Sequence, residues 1–111
     1  MDNHLESLSD RIRESFERKT EKRDKALAHS RELTRHAARA IRAIHRNEAS
    51  LAHNHLAQAK LLAEALRNDL ADEPDLYYSG YTQDALKEYC EAHLTVTIIL
   101  NEDYSTREDL Q

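Results

Sequence analysis

The segment that decides the fold spans residues 26–46 and reads ALAHSRELTRHAARAIRAIHR. Apolar or small side chains recur in it every three or four residues, the spacing of one face of an α-helix. These side chains are Leu27, Ser30, Thr34, Ala37, Ile41 and Ile44. Because neither Gly nor Pro interrupts it, the segment predicts a long amphipathic helix.

The same spacing extends this helix towards the N-terminus, through Leu5, Leu8, Ile12 and Phe16. Residues 17–25 hold no apolar side chain but have good helix propensity, so the first helix is expected over about 3–46. Its middle then either has no buried face or presents a set of basic side chains to another surface. That set is Lys19, Lys22, Arg23 and Lys25.

Two more helices follow in the sequence. Asn47, which tolerates left-handed geometry, separates the first helix from a second one over about 48–71, which Pro74 follows. A connector over 75–80 leads to a third helix over about 81–101, whose C-terminal part we expect to be buried on most sides. That part carries Leu94, Val96, Ile98, Ile99 and Leu100.

The final residues predict the start of a fourth helix. Ser105 and Glu108 have the spacing of a capping box, in which the serine is the N-cap and the glutamate lies at N3. Because only three residues follow Glu108, we expect the 111-residue chain to correspond to part of a longer helical domain.

Composition agrees with an all-α fold of long antiparallel helices in one domain over 1–111. One Gly and one Pro argue against a turn-rich β fold, and 33% charged residues with a mean hydropathy of −0.84 confine the apolar residues to narrow stripes. Such helices commonly complete their core through partners, so we expect a homo-oligomer. A single Cys, no signal peptide and no membrane-spanning run predict a cytoplasmic location.

A stripe of arginines is the first candidate binding surface. At 3.6 residues per turn they fall within a band roughly 80° wide, opposite Leu33, Ala37, Ile41 and Ile44. Such an array of donors suits the phosphates of a nucleic-acid backbone, although a solvated charged face is the alternative. We call it the Arg stripe, and its members are Arg31, Arg35, Arg39, Arg42 and Arg46.

A second candidate lies on the third helix, where Glu88 and Glu91 share one face with Asp84. Two carboxylates one turn apart suit Mg²⁺, which a productive site would hold with another acid from elsewhere, but a solvated acidic face is the more common outcome of this spacing. The histidines show no zinc-binding spacing, and Cys90 is expected to be a small core residue.

Several runs together resemble the translin family, and most closely its translin-associated factor X branch. These runs are Arg23-Asp24-Lys25, Ser30-Arg31-Glu32, Ala40-Ile41 with Ile44-His45-Arg46, an Ala/Leu-rich second helix, and Gln83-Asp84-Ala85-Leu86-Lys87-Glu88-Tyr89-Cys90-Glu91-Ala92. The resemblance covers about residues 20–101, and the run containing Glu88 and Glu91 is its most specific part.

The resemblance implies an all-α subunit of a closed, roughly octameric shell that holds single-stranded RNA or DNA. It implies Mg²⁺-dependent endoribonuclease activity, with Glu88 and Glu91 as catalytic, metal-binding acids and with Arg31 and Arg46 on the nucleic-acid-facing surface. In the family, the third acid lies in a later helix, beyond the end of this chain.

Three hypotheses follow from these observations. The first is a subunit of an Mg²⁺-dependent endoribonuclease that acts on single-stranded RNA, with Glu88 and Glu91 as metal ligands and the Arg stripe holding the strand. The second is a non-catalytic module that binds single-stranded DNA or RNA. The third is a structural helical adaptor, in which neither charged face has a ligand.

Overall fold

The computed structural model describes the backbone of residues 2–109 and the side chains of residues 3–102. In this part of the chain every regular element is a helix. The order is α1 (Asp2–His45), α2 (Ala49–Asp69), α3 (Pro74–Tyr77) and α4 (Gly80–Asp109). The predicted all-α fold is confirmed, and α1 packs against both α2 and α4.

The helix bounds differ from the predicted ones mainly at the C-terminus. Helix α4 was expected over about 81–101 but continues to Asp109, so the capping box at Ser105 and Glu108 does not start a new helix. Residues 101–109 contain neither Gly nor Pro, and nothing in them stops the preceding helix. The predicted connector also contains the short helix α3.

Asn47 makes the turn between α1 and α2, as its residue type predicted. Its φ is 62°, a left-handed conformation that asparagine tolerates better than most side chains. The Glu48 N–H donates to the Ala43 carbonyl at 2.9 Å and the Asn47 N–H to the Ile44 carbonyl at 3.1 Å. These two bonds form a Schellman motif, which satisfies carbonyls at the end of α1 and reverses the chain.

At the other end of α2, side-chain hydrogen bonds fix the entry into α4. The Thr82 hydroxyl donates to the Leu76 carbonyl at 2.9 Å, and the Gln83 amide donates to the Tyr77 carbonyl at 2.8 Å. Thr82 is fully buried, so its hydroxyl needs this partner. The bonds tie the first turn of α4 to the end of α3.

Alanine dominates the interior. Eight of the fifteen buried hydrophobic residues that the structure describes are alanines, and they come from α1, α2 and α4. Small side chains let helix axes approach closely, whereas Leu33, Leu66, Leu70 and Val96 fill the remaining space. The eight are Ala26, Ala37, Ala40, Ala43, Ala52, Ala59, Ala85 and Ala92.

The buried face of α1 is rotated slightly from the predicted one. Ser30, Ala37 and Ile44 are buried as expected, but Thr34 is exposed and Leu33 takes its place in the core. The alanines at 26, 40 and 43 were missed because small residues give weak hydrophobic signals next to leucine and isoleucine.

The first four turns of α1 form a projecting arm, which we define as residues 3–18. None of the described residues covers its apolar stripe: Leu5 is 67% exposed, Leu8 43%, Ile12 62% and Phe16 72%. The molecule is correspondingly long, 85 × 18 × 17 Å, with a radius of gyration of 20.5 Å against about 13 Å for a compact domain of this length.

The expectation that the C-terminal part of the third helix is buried on most sides is wrong for two residues. Leu94 is 59% exposed and Ile98 is 54% exposed, whereas Val96 is buried. Helix α4 packs through one face only, so residues on its outer face remain in solvent. None of the described helices is long and apolar enough to cross a membrane.

Lysines in the middle of α1 pair with acids around the α2–α3 connection. Lys22 Nζ lies 3.0 Å from both carboxylate oxygens of Asp72, and Lys25 Nζ lies 3.3 Å from Asp69. Lys19 contacts Asp75 directly. The part of α1 that lacks apolar residues therefore does present basic side chains to another surface, the second of the two predicted outcomes.

These ion pairs also shift the ionisation of the acids. The hydrogen bond from Lys22 holds the pKa of Asp72 below its ordinary value of 3.8, and that from Lys19 does the same to the pKa of Asp75. A lowered folded-state pKa means that the contribution to stability is complete above the unfolded value and is lost as the pH falls through the folded value.

Overpacking the alanine interface tests its role. We expect Ala40→Leu to cost about 1–3 kcal/mol of unfolding free energy, because extra methylenes must displace a neighbouring helix. Ala57→Leu, at an exposed position of α2, is the matched control and should have almost no effect. Urea unfolding followed by circular dichroism measures the unfolding free energy of both variants. Equal values for the two variants would contradict the close approach of the helices at Ala40.

Charge reversal tests the pairing of α1 with the connector. We expect Lys22→Asp to lower the thermal midpoint, because two carboxylates then face each other, and Asp72→Lys in the same chain to restore it. The recovery of the thermal midpoint in the double variant should be smaller at high salt, because salt screens exposed charges. A double variant as unstable as the single one would show that the two side chains do not meet.

Candidate nucleic-acid interface

The Arg stripe lies on the face of α1 opposite the core. All five of its arginines are exposed, whereas Ala37, Ala40 and Ile44 on the other side of the same turns are buried. From Arg31 to Arg46 the helix rises about 22 Å, so the guanidiniums line a straight surface roughly four turns long.

The arginines are not neutralised within the chain. None of the five forms an ion pair with a carboxylate among the described side chains. Residues 26–60 contain six Lys or Arg against two acids, Glu32 and Glu48, although the whole chain has a net charge of −5. Negative charge is thus concentrated elsewhere in the sequence, and the segment that carries the Arg stripe is locally basic.

Two histidines meet at the edge of the Arg stripe. His36 Nδ1 on α1 lies 3.0 Å from His55 Nδ1 on α2, with the ring centroids 5.3 Å apart. His36 is one turn before Arg39 on α1, and both rings are half-buried between the two helices. We call these two residues the His pair.

The surroundings of the His pair disfavour added positive charge. Burial lowers the pKa of His55 below its ordinary value of 6.5, and the positive charges of His36, Arg39 and Arg42 lower it further. A lowered folded-state pKa stabilises the neutral imidazole. His55 therefore contributes to stability in full above pH 6.5, and this contribution is lost as the pH falls below that value.

The acidic face of α4 is more open than a metal site. Glu91 is exposed and its carboxylate lies 4.0 Å from the Lys87 ammonium, one turn earlier on the same helix. Glu88 is half-buried, and Asp84 is exposed. Among the described side chains, no three His, Cys, Asp or Glu residues come together in a group able to hold a metal ion.

Cys90 is exposed, so the expectation that it is a core residue is wrong. It lines a groove between α2 and α4 together with Lys60, Glu64, Arg67 and Tyr89. Helix α4 instead packs inward through Thr82, Ala85, Ala92 and Val96, and its two alanines are smaller than cysteine and allow close contact with α1.

Aromatic side chains are absent from the Arg stripe. Tyr78 is 72% exposed, but it lies beside the connector whose acids pair with Lys19 and Lys22, two turns or more before the stripe begins. Tyr89 is half-buried, and burial raises its pKa. The surface therefore offers contacts to phosphates rather than stacking platforms for bases.

The His pair was missed from the sequence. The histidines show no zinc-binding spacing, and His36 and His55 lie on different helices. Only the register of α2 against α1 brings two of them together. The positions of both rings on inward-facing stripes were the available signal.

Comparison of the chain with known protein families, with curated proteins and with solved structures gave no match. The resemblance to the translin family therefore stays a prediction from the residues quoted above.

Proposed function

We propose that this chain binds single-stranded nucleic acid, with the Arg stripe as its contact surface for the phosphates. The observation that carries the proposal is that five exposed guanidiniums, without carboxylate partners among the described side chains, follow one another along a single helix face. Arginine forks onto phosphate oxygens in two-point contacts and remains charged at every physiological pH.

The resemblance to the translin family favours a single strand over a duplex as the ligand. The stripe is a straight face of exposed guanidiniums that suits the phosphates of a nucleic-acid backbone. A flexible strand can lay successive phosphates along such a face and leave its bases unread. Affinity should then depend strongly on salt and weakly on sequence, and the resemblance to the translin family favours RNA as a ligand.

Removal of one arginine should reduce the salt dependence of binding. For Arg39→Gln we expect the slope of log Kobs against log salt to become less steep by about 0.7, the value for one phosphate contact on a single strand. Fluorescence anisotropy with a labelled 20-nucleotide oligo(U) between 50 and 200 mM NaCl measures this slope.

Arg67→Gln is the matched control for this measurement. Arg67 is exposed on α2 and outside the stripe, so its removal should leave the slope nearly unchanged. Equal effects of Arg39→Gln and Arg67→Gln would point to diffuse attraction instead of a defined surface. Absence of binding at the lowest salt would favour the structural adaptor.

A second candidate function is Mg²⁺-dependent cleavage of single-stranded RNA within a translin-type homo-oligomer. It is supported by the shared face of Glu88 and Glu91, and by the absence of a cation partner for Glu88 among the described side chains. These two acids would supply oxygen ligands, and further ligands would have to come from water, RNA phosphates or other residues of the assembly. The uncovered stripe of the arm agrees with self-association.

Isosteric amide variants test this second function. Glu88→Gln and Glu91→Gln should each abolish Mg²⁺-dependent cleavage of single-stranded RNA while leaving RNA binding intact, because they remove a ligand charge without a change of shape. Glu64→Gln, at an exposed position of α2, is the control. If an intact assembly still cleaves RNA after each of the two substitutions, Glu88 and Glu91 are not its metal ligands, and only the binding function remains proposed for this chain.

A further inference from the structure

The contact between His36 and His55 needs one proton between the two Nδ1 atoms, and it cannot accommodate two. At 3.0 Å between two Nδ1 atoms, one ring must donate an N–H and the other must accept it. Two neutral rings satisfy this condition, and so does a pair carrying one positive charge. If both rings were charged, two N–H groups would point at each other, and the contact would have to open.

The charges that act on His55 are positive and come from His36, Arg39 and Arg42 on α1. The acid of α1 in this region is Glu32, one turn before His36. The acid nearest to His55 in the sequence is Glu48, the residue before α2, two turns before His55. The titratable groups in the middle of α4 are Glu88, Tyr89, Cys90, Glu91 and His93, and none of them is among the influences on His55.

We propose that the His pair makes nucleic-acid binding at the Arg stripe proton-linked, so that the pair takes up one proton when phosphates occupy Arg39 and Arg42. This inference rests on the proposed binding function and adds its regulation by pH.

The direction of the linkage follows from electrostatics. In the free protein, Arg39 and Arg42 oppose a charge on His55. A bound phosphate neutralises this repulsion and raises the pKa of His55, so binding draws a proton from solution. By reciprocity, a proton on the pair strengthens binding, and affinity must rise as the pH falls.

A metal ion is a poorer occupant of the same position than a proton. The His pair supplies two nitrogens, whereas structural and catalytic metal sites have three or four protein ligands. The two arginines that disfavour a proton would oppose a divalent cation more strongly. A proton can also be shared along the 3.0 Å contact without moving either ring.

The test measures the affinity for a 20-nucleotide oligo(dT), whose bases do not titrate in this range, from pH 8 to pH 5.5 at constant ionic strength. For the unmodified chain we expect tighter binding at low pH, by at most about tenfold per pH unit, since one proton is linked. The double variant His36→Gln/His55→Gln should lose the larger part of this slope while it keeps the affinity measured at pH 8.

His53→Gln is the matched control, because His53 is exposed, lies two residues from His55 and is outside the pair. It should retain the slope of the unmodified chain. A double variant with an unchanged slope overturns the linkage, and binding at pH 8 that weakens in a separate salt series would leave the Arg stripe intact as a binding surface.

Calorimetry on the unmodified chain gives an answer that does not depend on the folding of a variant. Binding heats measured at pH 6 in two buffers with different ionisation enthalpies count the protons taken up. We expect net uptake at pH 6 and almost none at pH 8. Binding at pH 6 without proton uptake overturns the proposal, and no binding at either pH overturns the proposed function itself.

Discussion

The close approach of three helices through alanine is the constraint on which the rest of the structure depends. Because Ala37, Ala40 and Ala92 leave little space between α1 and its neighbours, the rotation of α1 about its axis is fixed by packing. That rotation turns the five arginines outwards together and brings His36 against α2. A bulkier core would separate the helices and would break the contact between the two rings.

Charge is arranged in two separate ways along α1. Its lysines at 19, 22 and 25 meet acids from the α2–α3 connection and serve the fold, although each such exposed pair contributes little by itself. Among the described side chains, the five arginines of the Arg stripe have no such acids opposite them. From residue 19 to residue 46 the helix thus uses lysine where charge is paired with other elements and arginine where it faces outwards, which matches the different geometry of the two side chains.

Local patterns predicted what depends on one helix, and failed where two helices meet. The α-helical class, the turn at Asn47 and the exposure of the Arg stripe follow from spacing and residue type. The His pair and the pairing of Lys22 with Asp72 depend on the register between helices, which no single segment encodes. The continuation of α4 past Ser105 shows that a good capping sequence does not by itself interrupt a helix that has no breaker.

The projecting arm of α1 gives one continuous helix two very different stabilities. Residues 26–44 are held by tertiary contacts, whereas residues 3–18 have only their own hydrogen bonds, and an isolated helix of this length is marginal in water. Amide protons should therefore exchange with solvent rapidly along the arm and slowly beyond Ala26, with the change occurring inside a single unbroken helix. An occupant of the stripe Leu5, Leu8, Ile12 and Phe16 would slow exchange in the arm, and so would report where a partner lies.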